Sequence, residues 1–171
     1  ARQHLLAANP GLQVTARVLR LDAANAKQMV AEADLVVDAA DSFAVSYILS
    51  DECLRQGKVL ISASALGQSG YAGGFCGGAP SLRAVFPDLP AQTATCATAG
   101  VMGPIVCMIF ALQAQLADGA VHVGPCRRKD PLPAPLFLGV RILPGQSVGE
   151  LFGLSLKSFQ GNLYLLSIQK H

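Results

Sequence analysis

The chain has 171 residues, of which 51% are hydrophobic and 14% charged, and its formal net charge is +2. This length allows one domain with a sizeable core, and the composition excludes a disordered chain while favouring a heavily buried domain or an obligate oligomer. So small a net charge gives no basis for binding nucleic acid or a membrane surface. The five cysteines form no CxxC pair, so spacing indicates neither a disulfide framework nor a zinc site, and we expect a cytoplasmic location.

The chain opens with ARQHLLAANP, which contains neither an initiator methionine nor a signal peptide. This opening favours a fragment or a processed product. Residues 1–8 are predicted to end a helix before the Asn-Pro-Gly sequence at 9–11. Residues 13–21 alternate between apolar and polar side chains, which predicts a half-buried strand, and residues 22–33 are helix-forming.

Residues 34–64 are predicted to form a strand, a helix and a second strand. The apolar runs at 35–37 and 59–61 are typical of buried parallel strands, which require a right-handed crossover. Ligands bind beyond the carboxyl ends of such strands. Asp41 would therefore lie where a carboxylate meets a ligand or its metal. The residues alone leave open that Asp41 or Ser42 merely caps the following helix.

The composition changes at residues 65–90, which are rich in glycine and proline and include a weak strand signal, GYAGGF. They contain no phosphate-binding glycine motif. Cys96 follows, shortly before an apolar helix. A thiol near a helix N-terminus favours the nucleophilic thiolate, but the residues alone favour Cys96 as a small buried apolar residue.

The apolar stretch at 99–117 approaches the length of a membrane span, but polar residues interrupt it, so we expect a buried helix of a soluble protein. Residues 120–171 begin with a proline-rich basic loop. Strands are then predicted at 136–143, 154–159 and 163–168, the last two joined by a hairpin turn. The fold expected is α/β, with a mostly parallel sheet and flanking helices at 1–119 and an antiparallel β appendage at 120–171.

Three segments together resemble the ThiF/MoeB/HesA adenylyltransferases, relatives of the ubiquitin-activating enzymes. They read ANPGLQVTARVLRLDAANA, ADLVVDAADSFAVSYILSDECLRQGKVLISASALG and TCATAGVMGPIVCMIFALQAQ. They follow the family's order, and the resemblance covers roughly residues 1–117. The resemblance implies a Rossmann-like fold and a nucleotidyltransferase that uses ATP and Mg²⁺. Its partner would be a ubiquitin-like sulfur-carrier protein of thiamine or molybdopterin biosynthesis, adenylated on its C-terminal Gly-Gly carboxylate. It also implies a homodimer.

The same resemblance implies roles for single residues. Asp41 matches the family aspartate that contacts the nucleotide and its magnesium, and Ser42 stands where asparagine is usual. Ser46 occupies the place of a family arginine, which weakens the expected ATP site. Cys96 matches a cysteine that in some members becomes covalently linked to the activated carrier. Residues 65–75 match the stretch beside which the carrier's tail is threaded.

Two departures from the family pattern affect these expectations. Ser81 and Ala84 replace the first pair of zinc-binding cysteines, and the second pair is absent, so we expect no structural zinc. The family's first strand and glycine-rich phosphate loop would lie upstream of residue 1. Because backbone N–H groups are the main phosphate anchor in such folds, this chain alone should bind ATP poorly.

Two other function classes share features with this sequence. The chain could be a non-catalytic scaffold, or half of a heterodimer, that keeps the carrier-binding and dimerisation surfaces. A nicotinamide-dependent dehydrogenase would share the sheet, but its glycine fingerprint is missing from this sequence.

Overall fold

A computed structural model describes residues 2–88 and 100–123, together with two strands at 137–141 and 163–167. The helices are α1 (Arg2–Ala8), α2 (Ala23–Ala31), α3 (Phe43–Gln56), α4 (Leu82–Val85) and α5 (Gly103–Val123). The strands are β1 (Leu35–Asp38), β2 (Val59–Leu66), β3 (Ser69–Cys76), β4 (Phe137–Arg141) and β5 (Leu163–Ser167).

The predicted strand–helix–strand unit is confirmed as β1, α3 and β2. β1 and β2 are parallel, with Leu35 beside Val59 and Asp38 beside Ser62. Gly57 ends α3 in the left-handed conformation at φ 66°, which a glycine adopts without steric cost. The carboxyl ends of both strands therefore meet at one edge, beside the start of α3.

The sheet is mixed, where the sequence predicted a mostly parallel one. Its strand order is β1-β2-β3-β4-β5. A two-residue turn at Gly67-Gln68 joins β2 to β3 as an antiparallel hairpin, and Gly67 has a φ of 58°. The weak strand signal in GYAGGF is thus confirmed, and all three of its glycines lie inside the strand and not at a turn.

Residues 13–21 lie in the described part of the chain but form no strand there, so this prediction is wrong. A hydrogen bond and an ion pair hold this segment instead. Arg2 Nε donates to Val14 O at 3.2 Å, and Arg17 forms an ion pair with Glu32. Val18 is fully exposed. Alternation marks a segment that could pair in a sheet, but a strand forms only where a partner strand supplies the hydrogen bonds.

Helices cover both faces of the sheet. On one face α3 packs on the strands and α2 packs on α3, and the cluster there includes Val30, Tyr47, Leu60 and Phe75. On the other face α5 contributes Ile105 and Ile109. Burial of each large apolar side chain stabilises the fold by about 1.5–3 kcal/mol.

The α5 helix is apolar enough over Gly103–Val121 to cross a membrane, judged by length and composition alone. In the structure one face of it packs on β2 and β3, with Gln113 only 4% exposed. Phe110 and Val121 on other sides are 55% and 65% exposed. The expectation of a buried helix therefore holds for its inner face only.

The C-terminal region is described only at β4 and β5. β4 pairs antiparallel with β3, and β5 pairs parallel with β4. The predicted hairpin turn at 160–162 and its strand at 154–159 lie outside the described residues. The antiparallel appendage, like the domain division at residue 119, stays a prediction.

Candidate functional site

The site is built around Asp38, the last residue of β1. Its side chain is buried, with 1% of the residue exposed. Oδ2 accepts a hydrogen bond from Ser62 Oγ at 2.9 Å, and Oδ1 accepts one from the backbone N–H of Ala40 at 3.0 Å. The parallel register brings Ser62 directly opposite Asp38. The carboxyl group thus joins β2 to the turn that follows β1.

A tyrosine on β3 extends this group. The hydroxyl oxygens of Tyr71 and Ser62 are 3.3 Å apart. Because Ser62 gives its single hydroxyl proton to Asp38, Tyr71 is the donor in this pair. Burial raises the pKa of Tyr71 to about 12. Tyr71 therefore stays a neutral donor at physiological pH.

Gln113 attaches α5 to the same edge of the sheet. Its Nε2 donates to Asp38 O at 2.6 Å and to Ile61 O at 3.3 Å. These two carbonyls belong to neighbouring strands. A buried carboxamide satisfied in this way fixes the helix at one position along the strands, because a shift would leave polar groups unpaired.

The two residues predicted to contact the nucleotide lie immediately after this network. Asp41 is exposed, one residue beyond the Ala40 amide that Asp38 holds. Ser42 is the N-cap of α3, but its side chain forms no capping hydrogen bond. Its carbonyl instead accepts bonds from the backbone N and the Oγ of Ser46, at 3.1 and 3.3 Å. Ser42 therefore occupies the N-cap position that the residues alone allowed, although its side chain does not bond to the helix amides.

Ser46, which stands where the family resemblance expects an arginine, is 5% exposed. Its hydroxyl is directed to the carbonyl of Ser42 and carries no charge. This position supplies no cation to a bound phosphate.

Cys96 lies outside the described residues, so its role as an acceptor thiol stays a prediction. The chain is described again from Gly100, beside the β2–β3 turn. Gly67 N donates to Gly100 O at 3.0 Å, and Met102 N donates to Gly67 O at 2.9 Å. These bonds lead directly into α5, which begins at Gly103.

Ser81 and Ala84 stand where the family resemblance expects the first pair of zinc-binding cysteines, and a capping hydrogen bond and an ion pair stabilise this segment. Ser81 caps α4, since its Oγ accepts a bond from Ala84 N at 3.3 Å. Arg83 pairs with Asp51 at 2.8 Å and lies 4.4 Å from the centre of the Tyr47 ring. Among the residues that the structure describes, no group of three or more His, Cys, Asp or Glu could hold a metal ion.

Sequence reasoning missed most of the buried network. Asp38 directly follows the apolar run at 35–37, but its pattern assigns it no role, and Ser62, Tyr71 and Gln113 belong to no motif. The available signal was a pair of polar residues, Asp38 and Ser62, at the ends of two apolar runs. Their contact depends on strand register, which periodicity does not supply.

Comparison with known proteins identifies the family of this chain. The ThiF family model matches residues 1–121. The chain is 38% identical over 112 residues to "Adenylyltransferase and sulfurtransferase UBA4" of Yarrowia lipolytica, which covers 64% of this chain and 28% of the relative. It is 37% identical over 116 residues to "Adenylyltransferase and sulfurtransferase MOCS3" of Aedes aegypti, and this match covers 66% of this chain and 26% of the relative.

An archaeal relative matches over a similar stretch. The "SAMP-activating enzyme E1" of Haloferax volcanii is 33% identical over 108 residues, which are 62% of this chain and 40% of that protein. This chain thus matches between about a quarter and two fifths of the length of these three relatives. The match to the family model covers more than half of the chain, and its α/β architecture agrees with the Rossmann-like domain of that family: the chain belongs to the ThiF family.

Proposed function

We propose that this chain supplies the magnesium-binding side of the nucleotide site in an adenylyltransferase. The enzyme would activate the C-terminal Gly-Gly carboxylate of a ubiquitin-like sulfur-carrier protein. The observation that carries the proposal is the exposed Asp41 carboxylate, which follows a parallel strand at the sheet edge where such folds bind ligands. The family match and the relatives named as adenylyltransferases support it.

The donor set fits Mg²⁺ bound together with ATP. Mg²⁺ in phosphate-transferring sites is held by one or two carboxylates and by phosphate oxygens. Asp41 would supply the carboxylate, and the Ser42 hydroxyl, which is not used in capping, would supply a hydrogen bond to the nucleotide. The ion would neutralise charge on the phosphates during the reaction.

The proposed reaction is attack of the carrier's terminal carboxylate oxygen on the α-phosphorus. A carboxylate oxygen–phosphorus bond forms, the bond from the α-phosphorus to the bridging oxygen breaks, and pyrophosphate leaves. Placing Asp41 at this edge restrains the metal and the phosphates in one orientation, which lowers the entropic part of the barrier. We further propose Cys96 as a thiol that accepts the activated carrier, with loss of AMP.

The proposal also includes the type of carrier protein, the segment that completes the ATP site and the oligomeric state. The relatives' names include sulfurtransferase, which favours a carrier that receives sulfur after adenylation, of the molybdopterin or thiamine type. The family's glycine-rich phosphate loop would complete the ATP site. The exposed side of α5, including Phe110, would take part in a cytoplasmic homodimer.

A second candidate function is a non-catalytic scaffold or heterodimer half. The observation that favours it is Ser46, which is buried and bonded to the backbone where the family has an arginine. Such a chain would keep the carrier-binding surface without catalysing adenylation.

Carrier-dependent exchange of pyrophosphate into ATP separates the two functions. It is measured on the complete polypeptide that contains this chain, with a small ubiquitin-like carrier ending in Gly-Gly. We expect Asp41→Asn to lower the exchange rate at least about tenfold, because a charge-assisted contact is lost. Asp34→Asn is the matched control, since Asp34 is an exposed aspartate just before the opposite end of β1.

Unchanged exchange in Asp41→Asn would contradict the proposed role of this residue, and absence of exchange in the unmodified protein would favour the scaffold. Calorimetric titration of residues 1–171 with MgATP adds a separate result. Micromolar binding lost in Asp41→Asn would show that these residues hold a nucleotide without further segments.

A further inference from the structure

Asp38 is buried at the end of β1 with all three of its oxygen atoms engaged. Its donors in the described residues are the Ala40 amide, the Ser62 hydroxyl and the Gln113 carboxamide. With 1% of the residue exposed, its carboxyl group does not reach solvent or a bound ligand. A buried carboxyl group is costly unless it is fully hydrogen-bonded, and a plain apolar residue would fill the same space without that cost.

The bond from Ala40 N to Asp38 Oδ1 gives this carboxyl group a specific effect on the backbone. A side-chain oxygen that accepts from the amide two residues later forms an Asx turn, which sets the direction of the chain. The next residue is the exposed Asp41. The orientation of the Asp41 carboxylate therefore depends on where Asp38 is held.

Asp38 is in turn held from two sides. Ser62, which accepts from Tyr71, fixes its carboxyl group, and Gln113 fixes its carbonyl. The turn that presents Asp41 is thus joined to β2, to β3 and to α5 through one residue. A polar network with each member satisfied makes one geometry strongly preferred.

We propose that Asp38 is a positioning residue for the magnesium site, acting through the Ala40 amide and held in place by Ser62 and Gln113. This inference rests on the proposed function of Asp41. Loss of the network moves the Asp41 carboxylate away from the position that binds the ion. The main effect is therefore a weaker response to Mg²⁺, while binding of the carrier protein is unchanged.

The first test needs no activity and uses the 171-residue chain. Amide hydrogen exchange at Ala40 is followed by NMR in the unmodified chain and in Asp38→Ala. We expect exchange at Ala40 to become about tenfold faster or more, because the hydrogen bond from its amide to the Asp38 side chain is lost. Amides in the β2–β3 hairpin keep their protection if the fold is intact. Unchanged exchange at Ala40 would overturn the proposal.

The second test uses pyrophosphate exchange by the complete polypeptide at varied Mg²⁺ concentration. Ser62→Ala removes one hydroxyl from the network, and we expect the Mg²⁺ concentration for half-maximal rate to rise about five- to tenfold, in line with the loss of one hydrogen bond. Ser62→Thr restores the hydroxyl and should restore the Mg²⁺ response. Ser64→Ala removes the same group two residues farther along β2 and serves as the control.

The outcomes separate this inference from the proposed function. In one outcome, Asp41→Asn lowers the rate of pyrophosphate exchange, but Ser62→Ala leaves the Mg²⁺ response unchanged and is shown by circular dichroism to be folded. The positioning role of Asp38 is then wrong, and the proposed function stands. If Asp41→Asn has no effect, the proposed function fails, and so does the inference that depends on it. A loss of thermal stability in Ser62→Ala without a changed Mg²⁺ response would mean a structural role only, which also overturns the proposal.

Discussion

Replacement of Gln113 by glutamate tests how α5 is attached to the sheet. The change keeps the size of the side chain but puts a carboxylate oxygen in place of Nε2, which lies 2.6 Å from Asp38 O and 3.3 Å from Ile61 O. Two hydrogen bonds of about 1 kcal/mol each are lost, and a buried charge then faces two carbonyl oxygens. We expect the free energy of unfolding at pH 7 to fall by about 3–5 kcal/mol, which is a large part of the stability of a typical domain.

The stability lost in Gln113→Glu should depend on pH, and the direction of this dependence follows from the pKa of the new carboxyl group. Burial beside two carbonyl oxygens raises the folded-state pKa of the introduced carboxyl above its unfolded value of about 4.3. The folded state then binds more protons than the unfolded state between these two values. The penalty is therefore complete above the folded-state pKa and shrinks as the pH falls towards 4.3, because the neutral acid can donate to a carbonyl.

Urea unfolding at pH 7 and pH 5, followed by circular dichroism, measures both effects. Gln115→Glu is the control, since Gln115 is exposed on the same helix and its replacement should change stability by no more than about 0.5 kcal/mol. The reasoning is refuted if Gln113→Glu costs no more than this control at pH 7. If Gln113→Glu lowers the free energy of unfolding by the same amount at pH 5 as at pH 7, the assigned burial of the new carboxyl group is contradicted.

Two further predictions concern packing and thiol reactivity. Gly70→Ala should lower the free energy of unfolding by about 1–3 kcal/mol, because the added Cβ would lie 2.8 Å from Ile109 Cγ1 and 2.7 Å from a strand carbonyl oxygen. Thermal unfolding beside Gly74→Ala, whose nearest contact would be an ordinary 3.5 Å, checks this, and equal losses would contradict it. Burial raises the pKa of Cys53 to about 12, whereas Cys107 is exposed. Iodoacetamide at pH 8 should therefore label Cys107 at least about tenfold faster than Cys53, since the thiolate is the reactive form; peptide mass spectrometry measures both rates, and comparable labelling of the folded chain would refute the assigned burial.

The unit β1–α3–β2 was predictable because its signals are local. Two apolar runs, a helical period and a glycine stop lie within 31 residues, from 34 to 64, and the exposed Asp41 follows from where the first run ends. The parallel strand pair, and the sheet edge beyond which Asp41 lies, are therefore predictable from sequence.

Other features depend on contacts that no local pattern contains. Gln113 meets the carbonyl of Asp38 from 75 positions away. The direction of β3 could not be read from its glycine-rich sequence, because the two-residue turn at Gly67-Gln68 sets it. Residues 13–21 show the converse: their alternation is strong, yet the described part of the chain offers them no partner strand.

The β2–β3 hairpin also has a consequence for how this chain folds. Its eight paired positions run outward from Leu66 and Ser69 without a break, so its contacts are local and their loop-closure cost is small. The attachment of α5 through Gln113 joins distant segments and should form after the rate-limiting step. Substitutions that weaken the hairpin are then expected to slow folding, whereas those at Gln113 mainly speed unfolding and shorten the lifetime of the native state.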